Sequence, residues 1–406
     1  MSENNHFKSE EISPASNVKL PLGFEFNGIS SNIKPSGKKD MAIVKTDDNL
    51  PVYTLGVFTT NETKAAPVIF SKKSLEDSNN MISAVLLNSG NANAATGPNG
   101  LKVSESSANL VAKQLGCKSE NILVCSTGLI GIPMPLDPFV ASVPTLVGGS
   151  SNDIVAFNQA AEAILTTDTV KKTFIKSSTV DGYSIAGFAK GAAMLAPSMA
   201  TMLSVIVTDA IIDKKLLGES FLAGIQESFN SIVVDGCMST NDTVILMTSA
   251  KKVCSDPEEF SLLLKDGLLH LAHQMVKDAE GGTVVAKLNI MRAKNQIQAK
   301  ALASKVAQSV LVRCSLNGRD PYWGRIISEL GAAKVNIDPN KVSISYGDIM
   351  VAKSGCAIDC DEEKLKAYML NNEIEINVDI NLGNDNYTMF FSDISHDYID
   401  ENIKTS

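Results

Sequence analysis

The sequence predicts an α/β protein built in layers, and three observations point there. Short apolar runs rich in Val, Ile and aromatic residues alternate along the chain with stretches whose apolar residues recur at three-to-four spacing. At 406 residues the chain is too long for one ordinary compact domain. Its 44% hydrophobic and 20% charged residues are the proportions of a folded protein with a substantial core. Strands are expected over 83–88, 121–126, 182–188, 202–208, 242–248, 283–292, 343–352, 373–381 and 387–392. Helices are expected over 100–115, 154–165, 214–231, 257–279, 295–310 and 322–334. The 257–279 stretch opens at Asp256-Pro257 and closes at Gly281-Gly282, which is start and stop chemistry for a helix. Alternating elements of this kind imply mixed α/β layering. No 20–50-residue repeat and no Gly/Ser or Pro linker divides the chain.

Charge and cysteine usage narrow the function. A formal charge of −9, with no Lys/Arg cluster, argues against nucleic acid or an anionic membrane surface as partner and for a small molecule. Seven cysteines without regular spacing suit a reducing compartment rather than a disulfide scaffold. Cys356 and Cys360 lack the second pair or nearby His that a zinc set requires, so no metal is expected. Residues 1–16 are polar, lack an apolar h-region and are expected to form a loose tail. No apolar run reaches the roughly 18–20 residues needed to cross a bilayer. A cytoplasmic enzyme is expected.

The sequence contains no G-x-x-x-x-G-K-[ST], G-x-G-x-x-G or G-x-S-x-G motif, which disfavours the common nucleotide sites and the ordinary α/β-hydrolase serine. Of the four histidines, His6 lies in the tail, while His270 and His273 share a face of the long helix and read as a packed or solvated surface. His396 stands apart from both groups. A nucleophile in this chain would therefore need a base other than histidine.

Residues 188–211, FAKGAAMLAPSMATMLSVIVTDAI, run from a small-residue loop straight into an apolar strand at Thr201. Breaking the Ala200–Thr201 bond would give Thr201 a free α-amine within reach of its own hydroxyl. Such an amine titrates near about 7.7–8.0, so much of it is neutral near neutral pH and able to act as general base. This is the threonine-plus-terminal-amine form of nucleophile activation.

That segment resembles the self-processing motif of the ornithine acetyltransferase (ArgJ) family, K-G-[SA]-G-M-[IL]-x-P-[NS]-[ML]-A-T-M-L. The resemblance extends from about Asn17 to Ser406 through LPLGFEFNGISSNIK (20–34), GVFTTNETKAAPV (56–68), NSGNANAATG (88–97), CSTGLIGIPMP (125–135), TTDTVKK (166–172), STNDTV (239–244), DAEGGT (278–283), DPYWGRI (320–326) and SDISHDYIDEN (392–402), in order. It implies a layered αββα-type sandwich with a smaller C-terminal lobe. It also implies self-cleavage at Ala200–Thr201 into chains 1–200 (the tail 1–16 followed by 17–200) and 201–406, assembled as a heterotetramer of two of each.

The reaction implied is acetyl transfer from N2-acetylornithine to glutamate through an acetyl-Thr201 intermediate, without a cofactor. A variant of the family also takes acetyl-CoA as co-substrate, and a hydrolase using the same nucleophile is the alternative class. Thr127 and Gly128 correspond to the oxyanion hole, where losing one donor typically costs about 2.7–4 kcal/mol in the transition state. Thr167, Lys190, Thr201, Glu280, Asn402 and Ser406 correspond to substrate-binding positions, with Thr166 one register step from Thr167. The chain departs from the family pattern at Ala95, Ala193, Cys237-Met238 and Tyr322, and in a shortened end that lacks the usual aromatic.

Overall fold

The computed structural model describes residues 19–196 and 202–403, so the tail 1–16, Ala200, Thr201 and Ser406 lie outside the described residues. The described chain forms two compact units. The larger takes residues 19–194, 202–230 and 238–275, and the smaller takes 195–196, 231–237 and 276–403.

In the larger unit a four-stranded sheet is ordered Phe24–Ile29, Met41–Thr46, Ala84–Asn88, Ile122–Ser126. A six-stranded sheet is ordered Met81–Ile82, Val52–Phe58, Thr243–Val253, Leu203–Ile211, Ser184–Lys190, Lys172–Ser177. The sheets stack through one core, with Phe26, Val44 and Leu87 of the first packed with Phe188, Val205 and Met247 of the second. The Phe157 ring sits edge-on between Phe26 and Phe188, with centroids 5.2 and 5.7 Å away. Such edge-to-face pairs add stability beyond their buried area.

Helices Gly97–Leu115 and Asp137–Gly148 cover the outer face of the four-stranded sheet, burying Ile43, Leu86 and Val124. On the outside of the six-stranded sheet, Gly267 of helix Pro257–Lys277 lies so close to the Phe174 ring that a Cβ there would sit 2.2 Å from it. Helix Lys214–Glu227 packs on the same helix where Gly224 meets Leu268. The layering is αββα, as expected. Central strands covered on both faces read as near-continuous apolar runs, such as Ala84–Asn88 and residues 203–210 of Leu203–Ile211, buried at every position.

The smaller unit holds a seven-stranded mixed sheet ordered Ile232–Val233, Asp385–Ser392, Val285–Ala293, Glu373–Asp379, Ser343–Tyr346, Ile349–Lys353, Cys356–Ala357. Helices Gln296–Ala307, Val310–Asn317, Trp323–Ala332 and Glu362–Met369 bury Leu302, Leu316, Leu330 and Met369 against one face. The other face carries polar side chains. Asn289 donates to Glu375 and Asn377, and Thr388 donates to Asn289. A half-solvated sheet of this sort leaves clean alternation in its strands.

Several elements differ from expectation. The run 343–352 is a hairpin, turned at Gly347 with φ +57°. The expected helix 295–310 ends at Ala307, and a new helix starts at Val310 with the Ser309 side chain capping Val312 N–H. Strands Phe24–Ile29, Met41–Thr46, Val52–Phe58 and Lys172–Ser177 were not foreseen, nor were helices Ala66–Asp77, Asp137–Gly148, Glu362–Met369 and His396–Ile403. Polar residues inside the strands, and Pro67, Pro138 and Pro144 in two of the helices, hide the periodicity.

Among the described residues no helix is long and apolar enough to cross a membrane, and no group of three His, Cys, Asp or Glu is placed to hold a metal. Cys356 is exposed, and Cys360 is only partly buried.

The tightest backbone approach in the sandwich is at Gly28, where a Cβ would lie 2.0 Å from the Gln159 carbonyl oxygen of helix Ile154–Ala163. Backbone cannot move aside as a flexible side chain can. Gly28→Ala is expected to lower stability by about 1–3 kcal/mol or more, measured by denaturant unfolding against wild type.

Candidate active site

Three sequence blocks far apart in the chain meet at one end of the larger unit. Ala84–Asn88 and Ile122–Ser126 run parallel, so Ser89 and Thr127 leave the sheet side by side. Thr127 is buried and its N–H donates to the Asn88 carbonyl at 3.0 Å. Gly128 follows at φ +134°, and a Cβ there would lie 2.4 Å from Gly90 C and 2.5 Å from Asn91 N. Only glycine fits, because the turn presses backbone against backbone.

Asn241 locks this corner. Its side-chain amide donates to Ala92 O at 2.6 Å and to Ser126 O at 2.8 Å. The Ser126 hydroxyl donates to Asn88 Oδ1 at 2.6 Å, and the Asn88 amide donates to Asn91 O at 3.0 Å. Blocks 88–97, 125–135 and 239–244 are thus tied by buried, satisfied hydrogen bonds, which rigidify a corner more than isolated bonds would. The expectations singled out Thr127 and Gly128 but gave Asn241 no role.

Met202 and Leu203 are held from two sides. Lys190 pairs with Leu203 across the antiparallel ladder, and Thr243 pairs with Leu203 across the parallel one. Asp242 Oδ1 accepts the Met202 N–H at 2.9 Å, and Thr243 N–H donates to Met202 O at 3.0 Å. The strands that flank position 201 in sequence, Ser184–Lys190 and Leu203–Ile211, are therefore neighbours in one sheet.

Lys190 Nζ lies 3.6 Å from Asp168 Oδ2, and both side chains are buried. Asp168 also takes Lys172 Nζ at 2.6 Å, with neither side chain exposed, and the Gly191 N–H at 2.7 Å. Burial alone would raise the Asp168 carboxyl. The Lys172 and Lys190 charges, with the hydrogen bonds from Lys172 and Gly191, outweigh it and hold the group well below the ordinary carboxylate range. Asp168 escaped sequence reasoning because one aspartate inside TTDTVKK carries no signal of its burial. The same carboxylate accepts the Thr166 N–H at 3.1 Å, whereas Thr167 is exposed. Of the two adjacent threonines, Thr166 is committed to Asp168.

In the smaller unit Glu280 follows the long helix and is buried at 7% exposure, where a helix-end glutamate would ordinarily be solvated. The Asn402 side chain donates to Glu280 Oε2 at 2.9 Å and to Tyr398 O at 2.9 Å. Two expected substrate positions are thus brought together from opposite ends of this unit's sequence. Gly281, at φ +62°, makes the junction, since a Cβ there would lie 2.2 Å from Tyr398 N. Burial, then the negative charges of Asp235 and Glu280, push the Tyr398 hydroxyl up to about 12.

A layered sandwich with a side-chain-free turn, a buried Lys–Asp–Lys cluster and a polar corner at its strand ends is the frame of an α/β enzyme. The model of the ArgJ family matches residues 25–405. The arginine biosynthesis bifunctional protein ArgJ of Geobacter sulfurreducens is 38% identical over 393 residues, covering 94% of this chain and 98% of its own length. The protein of that name from Mycobacterium leprae is 36% identical over 398 residues, covering 96% and 95%. Among solved structures, ornithine acetyltransferase from Mycobacterium tuberculosis in complex with ornithine is 36% identical with a TM-score of 0.42, and covers 46% of this chain and 95% of that one. The chain belongs to the ArgJ family of arginine biosynthesis.

Asp168→Asn would remove the buried carboxylate that Lys172 and Lys190 share. Removing one partner of such a group is expected to cost about 3–5 kcal/mol. Because the native carboxyl is held below its unfolded value, the wild-type advantage should be constant above about pH 3.9 and decay as pH falls below it. Denaturant unfolding of both proteins across a pH series checks this.

Proposed function

We propose that this protein transfers acetyl from N2-acetylornithine to glutamate through an acetyl-Thr201 intermediate, after cutting its own chain between Ala200 and Thr201. The observation that carries the reading is the register around position 201. Lys190 ends one of the strands that flank the start of Leu203–Ile211 and Asp242 immediately precedes the other, both in a buried, fixed setting unusual for a simple strand entry. Membership of the ArgJ family and the convergence of blocks 88–97, 125–135 and 239–244 support it.

In this mechanism Thr201 Oγ attacks the Ala200 carbonyl and an ester forms. Water then releases the first chain with a new carboxylate and leaves Thr201 with a free amine. The two products would stay together, since Ser184–Lys190 and Leu203–Ile211 pair in one sheet whether or not the loop between them is cut. The freed Thr201 hydroxyl next takes acetyl from acetylornithine, releasing ornithine, and glutamate removes it. Thr127 and the Gly128 N–H stabilise the oxyanion of each tetrahedral intermediate, a role suited to a turn that admits no side chain. Thr167, Lys190, Glu280, Asn402 and Ser406 bind the amino-acid substrates, with Lys190 facing carboxylate and Glu280 facing ammonium. The assembly proposed is two of each chain.

The curated relatives are called bifunctional, which favours a second activity that acetylates glutamate directly from acetyl-CoA. Supplying glutamate and acetyl-CoA without acetylornithine tests it, and no acetylglutamate would remove that activity alone.

The decisive experiment is intact-mass analysis and N-terminal sequencing of the purified protein. Two fragments are expected, the second beginning at Thr201. Thr201→Ala should stay whole and lose transacetylase activity by about 10⁴-fold or more. A single full-length species with wild-type activity would overturn the mechanism, and acetate in place of acetylglutamate would make the enzyme a hydrolase.

A further inference from the structure

We propose that Asp242 is the acid–base partner of the Thr201 nitrogen: its carboxyl donates a proton to that nitrogen as the Ala200–Thr201 bond breaks, and its Oδ2 then holds the freed amine. This inference rests on the reading of Thr201 as nucleophile.

The geometry is specific. Asp242 is fully buried, and its Oδ1 accepts the N–H of Met202, the residue bonded to Thr201, at 2.9 Å. Its backbone carbonyl accepts the Thr59 N–H at 2.9 Å, so the residue is fixed on both sides. Oδ2 is buried and receives no hydrogen bond. The hydroxyls of Thr59 and Ser239 lie close enough to act on the carboxyl, although Thr59 Oγ1 donates to the Ser239 carbonyl at 2.7 Å and neither makes a hydrogen bond of good geometry to Oδ2. A buried carboxyl oxygen without a partner is costly and calls for a reason beyond packing.

The surrounding charges decide its state. Burial raises the Asp242 carboxyl well above the ordinary range, against the opposing pull of the Met202 N–H, the Lys190 charge and the Ser239 and Thr59 hydroxyls. Lys190 lies beside Asp168, which Lys172 also neutralises, and Lys34 acts on both Asp168 and Lys190. Lys190 is thus shared with a carboxylate that is held ionised, so its charge only partly offsets the burial that favours the protonated form of Asp242.

The step balances. The Thr201 Oγ–C bond forms and the C–N bond breaks, its electron pair staying on nitrogen. That nitrogen takes the hydroxyl proton and the Asp242 proton, giving an ester, an ammonium and a carboxylate. Water then hydrolyses the ester to the Ala200 carboxylic acid and the Thr201 hydroxyl. During turnover the proton returns to Oδ2, which leaves a neutral amine able to accept the hydroxyl proton.

The test follows cleavage of chains made by cell-free synthesis and shifted across a pH series, read on denaturing gels. A group that donates a proton works below its own pKa, so the wild-type rate should decline on the alkaline side. Asp242→Asn should cleave about 100-fold more slowly and lack that decline, and Asp242→Glu should recover part of the rate. Wild-type-like cleavage by Asp242→Asn, or a wild-type rate that is flat or rising throughout, would sink the proposal. The wild-type profile needs no variant, so poor folding of Asp242→Asn does not blunt the test. A second fragment starting elsewhere than Thr201 removes both readings, whereas a Thr201 start with unslowed Asp242→Asn removes only this role.

Discussion

The buried carboxylate of Asp168 is the constraint on which the active corner of the larger unit depends. It gathers Lys172 from the strand that follows, Lys190 from the end of Ser184–Lys190 and the N–H of Gly191. Taking these charges out of water costs several kcal/mol per ion, and the cluster is tolerable only because each side compensates the other. The same loop is pinned again by Lys34, whose Nζ donates to the Leu165 carbonyl at 2.6 Å and the Lys39 carbonyl at 3.0 Å. The chain leading to position 201 therefore leaves its strand at a fixed point, in a region of low polarisability where charge interactions are strong.

Sheet stacking explains why the other functional blocks meet there. When two sheets pack face to face, loops at the same end of each are held within side-chain reach of one another. Asn241 exploits this by giving one amide proton to Ala92 O and the other to Ser126 O. A side chain with two donors can join two loops only if both arrive at set distances, and the β-ladders set those distances. Gly128 adds the complementary condition: backbone contacts Gly90 and Asn91 so closely that no side chain is admitted. The result is a preorganised polar surface rather than one that must be ordered when substrate binds.

The smaller unit solves a different problem with the same tools. Its sheet is covered on one face, so Glu373–Asp379 alternates between buried and partly exposed positions. The C-terminal helix His396–Ile403 is anchored by Asp393, which accepts the Thr283 and Val284 N–H groups and the Asn317 amide. Arg313 adds hydrogen bonds to the Ser392 and Asp393 carbonyls. That anchoring brings Asn402 onto Glu280, and a carboxylate that would otherwise face water becomes a buried, oriented one.

Apolar periodicity alone determined the α/β class and most of the long elements, because hydrophobic spacing records which faces must leave water. The order of family blocks carried Thr127, Gly128, Lys190, Glu280 and Asn402 as candidates, since a motif preserves residue identity without needing a fold. Strands such as Lys172–Ser177 and helices containing Pro144 stayed hidden, because local signals there oppose an outcome that packing imposes. Only the tertiary structure decided that Lys190 shares Asp168 with Lys172, that Asn241 joins two loops and that Asp242 reaches Met202. Those pairings join residues distant in sequence, and their strength comes from burial, a property of the packed molecule that no single stretch of sequence possesses.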